Sequence, residues 1–599
     1  MPTPIESLQE AAIAALKSQY NIEVSPAELP FQDTRREFEG DFTLVVFPLT
    51  KYKLGSPEQI GQKLGEGMQI QMPDIERFNV VKGFLNLRLS DAWWLAYLGS
   101  AQQDPTLFRN TAGEGHTVVV EYCSPNTNKP LHLGHLRNIV LGYSLSQILE
   151  SNGYKVIQAC LFNDRGTNIS KSMHAWLKAG TGDTPESTGT KGDKLVGEYY
   201  VRFGKDQKQE IAALVAEGKT EEQAEQLAPS SLAIQDLTIR WENGDADVRS
   251  LWKTMNGWVY AAMEQTFRRL GAHFDRYYFE SDIYLSGKET VQEGLEKGIF
   301  YQKEDGSVWV DLSPDGLDHK LLLRRDGTSV YITQDLALAD EKYRDYQMGR
   351  SIHVVGNEQE YHFKVLFLIM QKLGKPFASG LFHLSYGMVE LPTGKMKTRE
   401  GTVVDADDLM DLMISSAREE TLKLGKTEGM SETELEELYA RLGIGALKYY
   451  LVKVDPKKRI LFDPQESIDL HGHTAPFIQS SYTRTASILR KAEAEGLTPQ
   501  VSPGLKPEDE LLESERSLLR MLMHFRDVLA DAAQTYNPSL VANYAYELAK
   551  EYNRFYHEAP VIRSAHPATS AFRLGLSTLC GKALRESLRL LGITVPERM

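Results

Sequence analysis

The chain has 599 residues, of which 42% are hydrophobic and 25% charged, with a formal net charge of -15. That balance excludes a disordered chain, and at roughly 150 residues per domain it predicts about four structural units. The acidity argues against a broad nucleic-acid surface, since phosphate contacts need Lys and Arg, and leaves room only for local basic patches. Cys123, Cys160 and Cys580 form no CxxC pair, so neither a zinc site nor a disulfide framework is expected, and three free thiols fit a reducing cytoplasm.

The N-terminus places Ile5, Leu8, Ala12 and Leu16 at helical spacing, and lacks the basic start and apolar run of a signal peptide. No stretch reaches the roughly 18 apolar residues that suggest a membrane span, so no membrane association is expected. Residues 1–112 read as a small α/β unit. Helical patterns at 5–20 and 57–70 flank the strand-like runs 42–47 and 84–89, and 104–116 is a linker. The run HTVVVEYCS (116–124) reads as a strand, followed by the loop PNTNKPLHLGH, a long helix ending near Gly153, and a second buried strand, KVIQACLF (155–162). Strand, helix and strand in that order predict a parallel βαβ unit with a right-handed crossover. Residues 185–255, rich in Lys, Glu, Gln and Ala, read as a solvated helical insertion. The runs 307–312, 320–324, 329–333, 351–355 and 381–391 read as strands completing a doubly wound parallel sheet. From 405 onward only helices are expected: a connecting stem (405–474), then a helical domain (475–599).

Two segments carry chemistry. HLGH (132–135) lies between a strand and a helix, where ligands of doubly wound sheets bind and where a helix N-terminus attracts phosphate. His132 and His135 can face one ligand, and Gly134 lets a flat base or ribose approach the backbone. The second is GKMKTREG (394–401), with Lys395, Lys397 and Arg399 between two glycines, readable as a basic loop over a triphosphate or as a solvated turn. Together they resemble the HIGH and KMSKS motifs of class I aminoacyl-tRNA synthetases. The runs EYCSPNTNKPLHLGHLRN (121–138), YITQDLA (331–337), GNEQEYHF (356–363) and LLGITVPERM (590–599) resemble the arginyl subgroup of that family, and the likeness extends from end to end.

The resemblance implies a Rossmann-like catalytic domain (113–404), an N-terminal tRNA-contacting domain and a C-terminal anticodon-binding domain. It implies ATP-dependent joining of L-arginine to its tRNA through an arginyl-adenylate, with tRNA bound first. ATP would enter as its Mg2+ complex, and no structural metal or editing domain is expected. His132, Gly134, His135, Lys395, Met396 and Lys397 would hold ATP. Asp335 would be the main carboxylate for the substrate guanidinium, with Tyr331 packed beside it; Glu121 and Gln359 also line the site, and Asn126 holds the α-amino end. A guanidinium suits such carboxylates, being planar with five donors. The match is incomplete: Thr398 stands where KMSKS has its second lysine, and Lys129 is the substitute the subgroup implies. Aromatic and basic residues at Tyr482, Arg484, Tyr544, Tyr546, Tyr552, Arg554, Phe555 and Tyr556 could stack anticodon bases, although at least half of these rings are expected to be core. A cytoplasmic monomer is expected. A small-molecule HxGH nucleotidyltransferase and a non-catalytic tRNA-binding paralogue are the two other readings.

Overall fold

The computed structural model describes residues 4–599 apart from 36, 181, 285, 393–403, 426–428, 500–509 and 565. At the N-terminus, a four-stranded antiparallel sheet in the order 31–33, 42–45, 84–89, 75–81 is packed by the helices Pro4–Tyr20 and Pro57–Gln71. The second helix starts where Ser56 and Gln59 exchange side-chain and backbone hydrogen bonds, with Pro57 in the first turn.

The central sheet has five parallel strands: β1 (Thr117–Glu121), β2 (Lys155–Phe162), β3 (Arg276–Phe279), β4 (Arg350–Gly356) and β5 (Leu381–Tyr386). Their spatial order is β5–β4–β1–β2–β3. The winding therefore reverses between β1 and β4, and the crevice at their carboxyl ends is where such sheets bind ligands. Four helices matter to that crevice: α1 (Leu133–Ser151), α2 (Gly192–Ala216), α3 (Tyr331–Tyr346) and α4 (Ala406–Leu424). Both faces of the sheet are covered, which is why β1 is apolar through Val118, Val119 and Val120, all fully buried. Val118 and Val120 join the core on the α1 side; Val119 joins the core containing Leu336 of α3.

The structure corrects three expectations. The runs 307–312 and 320–324 do form strands, but Val308–Val310 and Lys320–Leu323 pair antiparallel with each other, the first also with Phe300–Gln302, outside the parallel sheet. Their connections are too short for the crossover of a dozen or more residues that parallel pairing demands. The run 329–333 is not a strand but the entry to α3, because Ile332, Leu336 and Ala339 reach the core at helical spacing. The run 381–391 breaks at Gly387, and Val389–Glu390 instead pairs with Ile460–Leu461, a strand inside the region read as purely helical. A Cβ on Gly387 would stand 2.6 Å from the Lys458 carbonyl oxygen, so this close approach requires glycine.

The insertion is helical as expected, but its last helix, Ala246–Arg269, runs past residue 255. It is tied to the start of α4 by Lys191–Asp407 (2.7 Å), Arg269–Asp407 (2.6 Å) and Lys194–Asp408 (2.7 Å). The C-terminal region packs Ala475–Ala494, Ser539–Glu558 and Pro567–Leu590 against one another.

Candidate active site

His132 is the N-cap of α1: its Nδ1 accepts the Gly134 N–H (3.1 Å), and the His132 N–H donates to His135 Nδ1 (3.1 Å). An Nδ1 that accepts a proton carries none, so each neutral ring bears its hydrogen on Nε2. Both rings are held neutral. Burial and then the Lys129 ammonium lower His132 to about 4; burial, His132 and Lys129 lower His135 well below its ordinary value. The ring centroids are 3.9 Å apart. Two neutral donors thus stand at a helix N-terminus whose partial positive charge favours phosphate.

Lys129 is half-buried, and burial lowers its pKa. It lines a cavity of about 610 Å³ with His132, Lys194, Arg202 and Asp405. Lys395, Met396 and Lys397 lie outside the described residues. The chain after them is tied to the site: the Ala406 N–H donates to the Leu131 carbonyl (2.9 Å), and His132 forms a β-bridge with Asp405.

On the opposite face of the sheet, α3 brings Tyr331 and Asp335 one turn apart. Tyr331 is 76% exposed. Asp335 pairs with His362 Nε2 at 2.6 Å. Asn126 and Gln359 stand exposed on the segments following β1 and β4, Asn126 in a bridge to Asn163. Glu121, the last residue of β1, is buried and ion-paired to Lys342, with His353 Nδ1 3.5 Å away. Burial opposes its charge, but the Lys342 ammonium and His353 hold its carboxyl well below the usual range.

Sequence reading missed several residues that organise this crevice. Glu280, just beyond β3, is raised to about 7 by burial, with Asp164 and Asp335 adding to the rise against Arg165. Arg137 on α1 donates to the carbonyls of Gly387, Pro456 (3.0 Å) and Lys458 (2.9 Å). Asn138 accepts the Cys123 N–H (2.6 Å) and donates to the Val354 carbonyl (2.7 Å), binding α1 to the ends of β1 and β4. Arg137 and Asn138 stand two and three residues after HLGH, which was the available signal; nothing local marks Glu280.

In the C-terminal region Tyr482, Tyr544, Tyr552 and Phe555 are buried core, as expected for at least half of the set. Tyr546, Tyr556, Arg484 and Arg554 remain wholly or partly accessible, with the Arg484 guanidinium 5.8 Å from the Tyr556 ring. Among the described residues no cluster of His, Cys, Asp or Glu is arranged to hold a metal ion, and no helix is long and apolar enough to cross a membrane.

A reversing parallel sheet, a histidine pair capping the first helix, and a helical C-terminal bundle define the class I tRNA synthetases. Residues 100–463 match the model described as "tRNA synthetases class I (R), catalytic domain", and 478–599 match the DALR anticodon binding domain. The chain is 49% identical over 597 residues to the arginine–tRNA ligase of Bacteroides thetaiotaomicron, covering 99% of each. It is 48% identical over 597 residues to that of Porphyromonas gingivalis, covering 99% of this chain and 100% of that one. Its fold matches the arginyl-tRNA synthetase of Thermus thermophilus with a TM-score of 0.78 at 26% identity, both chains covered in full. The chain belongs to the arginine–tRNA ligases.

Proposed function

We propose that this enzyme activates L-arginine with Mg-ATP, releasing pyrophosphate, and passes the arginyl group from the adenylate to the terminal ribose of its tRNA, releasing AMP. The observation that carries this reading is the two-sided crevice. Neutral histidine donors at a helix N-terminus face one side, suited to phosphate. The carboxylates of Glu121, Glu280 and Asp335 lie towards the other, suited to a doubly cationic amino acid. The arginine carboxylate attacks the α-phosphate, and His132 and His135 donate from Nε2 to the charge that develops there. Lys129 and Lys395 neutralise phosphate, with Gly134, Met396 and Lys397 lining the nucleotide. Asp335 and Glu280 take the guanidinium beside Tyr331, while Asn126, Gln359 and Glu121 hold the amino end. Protein groups position reactants and need not become covalently attached. Residues 1–112 would contact tRNA, 113–404 catalyse, 405–474 connect, and 475–599 read the anticodon. The three cysteines are free and buried, which suits the reducing cytoplasm.

The test is ATP–pyrophosphate exchange with each standard amino acid, with and without arginine tRNA. Exchange with arginine alone, dependent on tRNA, is expected. Exchange with another amino acid would overturn the pocket assignment, and tight tRNA binding without exchange would favour a non-catalytic role.

A further inference from the structure

Lys342 is fully buried, although lysine almost never is unless paired. It lies on the inner face of α3, continuing the core spacing of Leu336 and Ala339, and its ammonium reaches across to Glu121 at the end of β1. Alternation along β1 puts Glu121 on the same face as Val119, the face that α3 covers. On the neighbouring strand β4, His353 is in register with Glu121, and its Nδ1 lies 3.5 Å from the other carboxylate oxygen. Its Nε2 faces Ser351 Oγ at 3.4 Å. A buried ion pair of this kind is stabilised no better than a well-packed apolar pair would be, so its chemistry rather than its stability distinguishes it.

We infer that Lys342, assisted by His353, is a positioning residue that keeps Glu121 a charged, oriented acceptor for the α-ammonium group of the bound amino acid. This rests on the reading of the crevice as an arginine site. Lys342 occupies one oxygen of Glu121, Oε2. The weaker His353 contact leaves Oε1 with lone pairs for the substrate, and the exposed Asn126 follows on the same segment. Because Tyr331, Asp335 and Lys342 share α3, the ion pair also anchors the helix carrying the guanidinium-binding residues to the strand carrying the ammonium-binding one. The separation of the two ends is then set by one helix. From Asp335 to Lys342 the rise is about 10 Å.

The charged and titratable groups around Glu121 are Lys342 on α3, His353 on β4 and the Cys160 thiol on β2; Asp335 acts on His353, which in turn acts on His383. Burial and the Lys342 charge keep His353 mostly uncharged, so Lys342 is the permanent countercharge. Without it, burial of Glu121 is opposed far less, and the carboxyl takes up a proton at a higher pH.

The experiment measures arginine-dependent exchange, with tRNA present, in the wild type and in Lys342→Met, Lys342→Arg and His353→Phe. Lys342→Met should raise KM for arginine at least about tenfold while KM for ATP stays within about twofold. Its arginine KM should climb more steeply than the wild type's as pH falls from about 8 to about 6, the wild type keeping only the dependence that Glu280 brings. Lys342→Arg, which retains the charge, should recover most of the affinity. His353→Phe should give a smaller rise of the same kind and stands in should Lys342→Met not fold. Unchanged arginine KM and an unmoved pH profile in the folded variants would overturn the inference while wild-type exchange with arginine still upheld the site. Equal losses for arginine and ATP in Lys342→Met and Lys342→Arg would also overturn it, by marking a merely structural role. A wild type that does not respond to arginine would instead overturn the underlying reading.

Discussion

At the scale of single residues, the role proposed for the histidine pair depends on both rings being neutral and sharing one tautomer. On that proposal, replacing either with alanine should cost about 10²–10³ in the rate of exchange with the fold retained, the loss expected for one donor to the developing phosphate charge. His132 is lowered to about 4 by burial and the Lys129 charge, so the pair should impose no acid limb on exchange at pH 6–7, where an ordinary imidazole would. A limb near pH 6.5 that disappears in His132→Ala would contradict this assignment. Because the folded-state value is depressed, the sign for stability follows. The unfolded chain binds the proton more readily, so this residue's contribution weakens as pH falls from about 6.5 towards 4. Lys129 faces the same cavity. Lys129→Ala should lower turnover by orders of magnitude without changing circular dichroism, and unchanged activation kinetics would remove it from the site.

At the scale of elements, α1 must lie close to β1 for its N-terminus to reach the crevice. Gly142 permits this: a Cβ there would meet the Tyr122 ring at 2.3 Å. Gly142→Ala should therefore destabilise by about 1–3 kcal/mol through overpacking and lower exchange activity, because the helix that carries His132 and His135 is displaced. Full activity with an unshifted melting temperature would show that the ring simply rotates away. Element α3 makes a related point. Its entry, SVYIT, is rich in residues favoured in strands, yet three apolar positions buried at helical spacing outweigh local propensity. Only as a helix does it put Tyr331 and Asp335 on one face and Lys342 beneath Glu121.

Over the whole molecule, the N-terminal unit is held to the C-terminal helices by charge. Arg516, about 1% exposed, donates to Asp41 (3.2 Å), Asp91 and the Leu89 carbonyl (3.0 Å), and Arg520 reaches Asp41 at 2.7 Å. Removing the arginine leaves Asp91 without its countercharge and Asp41 with Arg520 alone, so Arg516→Ala should cost about 3 kcal/mol and speed proteolysis within the 104–116 linker. His524 bridges Asp33 (2.8 Å) and Asp527 (3.0 Å). Burial disfavours its charge, but the two carboxylates outweigh that and raise it to about 9. Its contribution is therefore complete below about pH 6.5 and is lost as pH rises through about 9. Since Asp33 and Asp527 are half or more exposed, that contribution is about 1 kcal/mol. The melting temperature should fall more steeply from about pH 8 to about pH 10 in the wild type than in His524→Gln, and parallel curves would refute the bridge.

The order of elements, the βαβ unit around HLGH and the helical insertion were legible in the chain. Periodicity and turn residues are local, and β2 begins and ends where its apolar run does. The side of the crevice proposed for the nucleotide could be read from the chain for the same reason, since His132, Gly134 and His135 lie on one contiguous turn. The side proposed for the amino acid could be read only through resemblance to a family, and incompletely. Glu121, Glu280, Lys342 and His353 come from four segments, and no spacing along the chain encodes a meeting across a sheet. Tertiary structure also decided which strand-like runs joined the parallel sheet, because pairing direction depends on the length and path of connections rather than on the strands themselves. It alone converted an isolated lysine in α3 into the countercharge of Glu121, since burial makes an unpaired charge untenable and so dictates its partner.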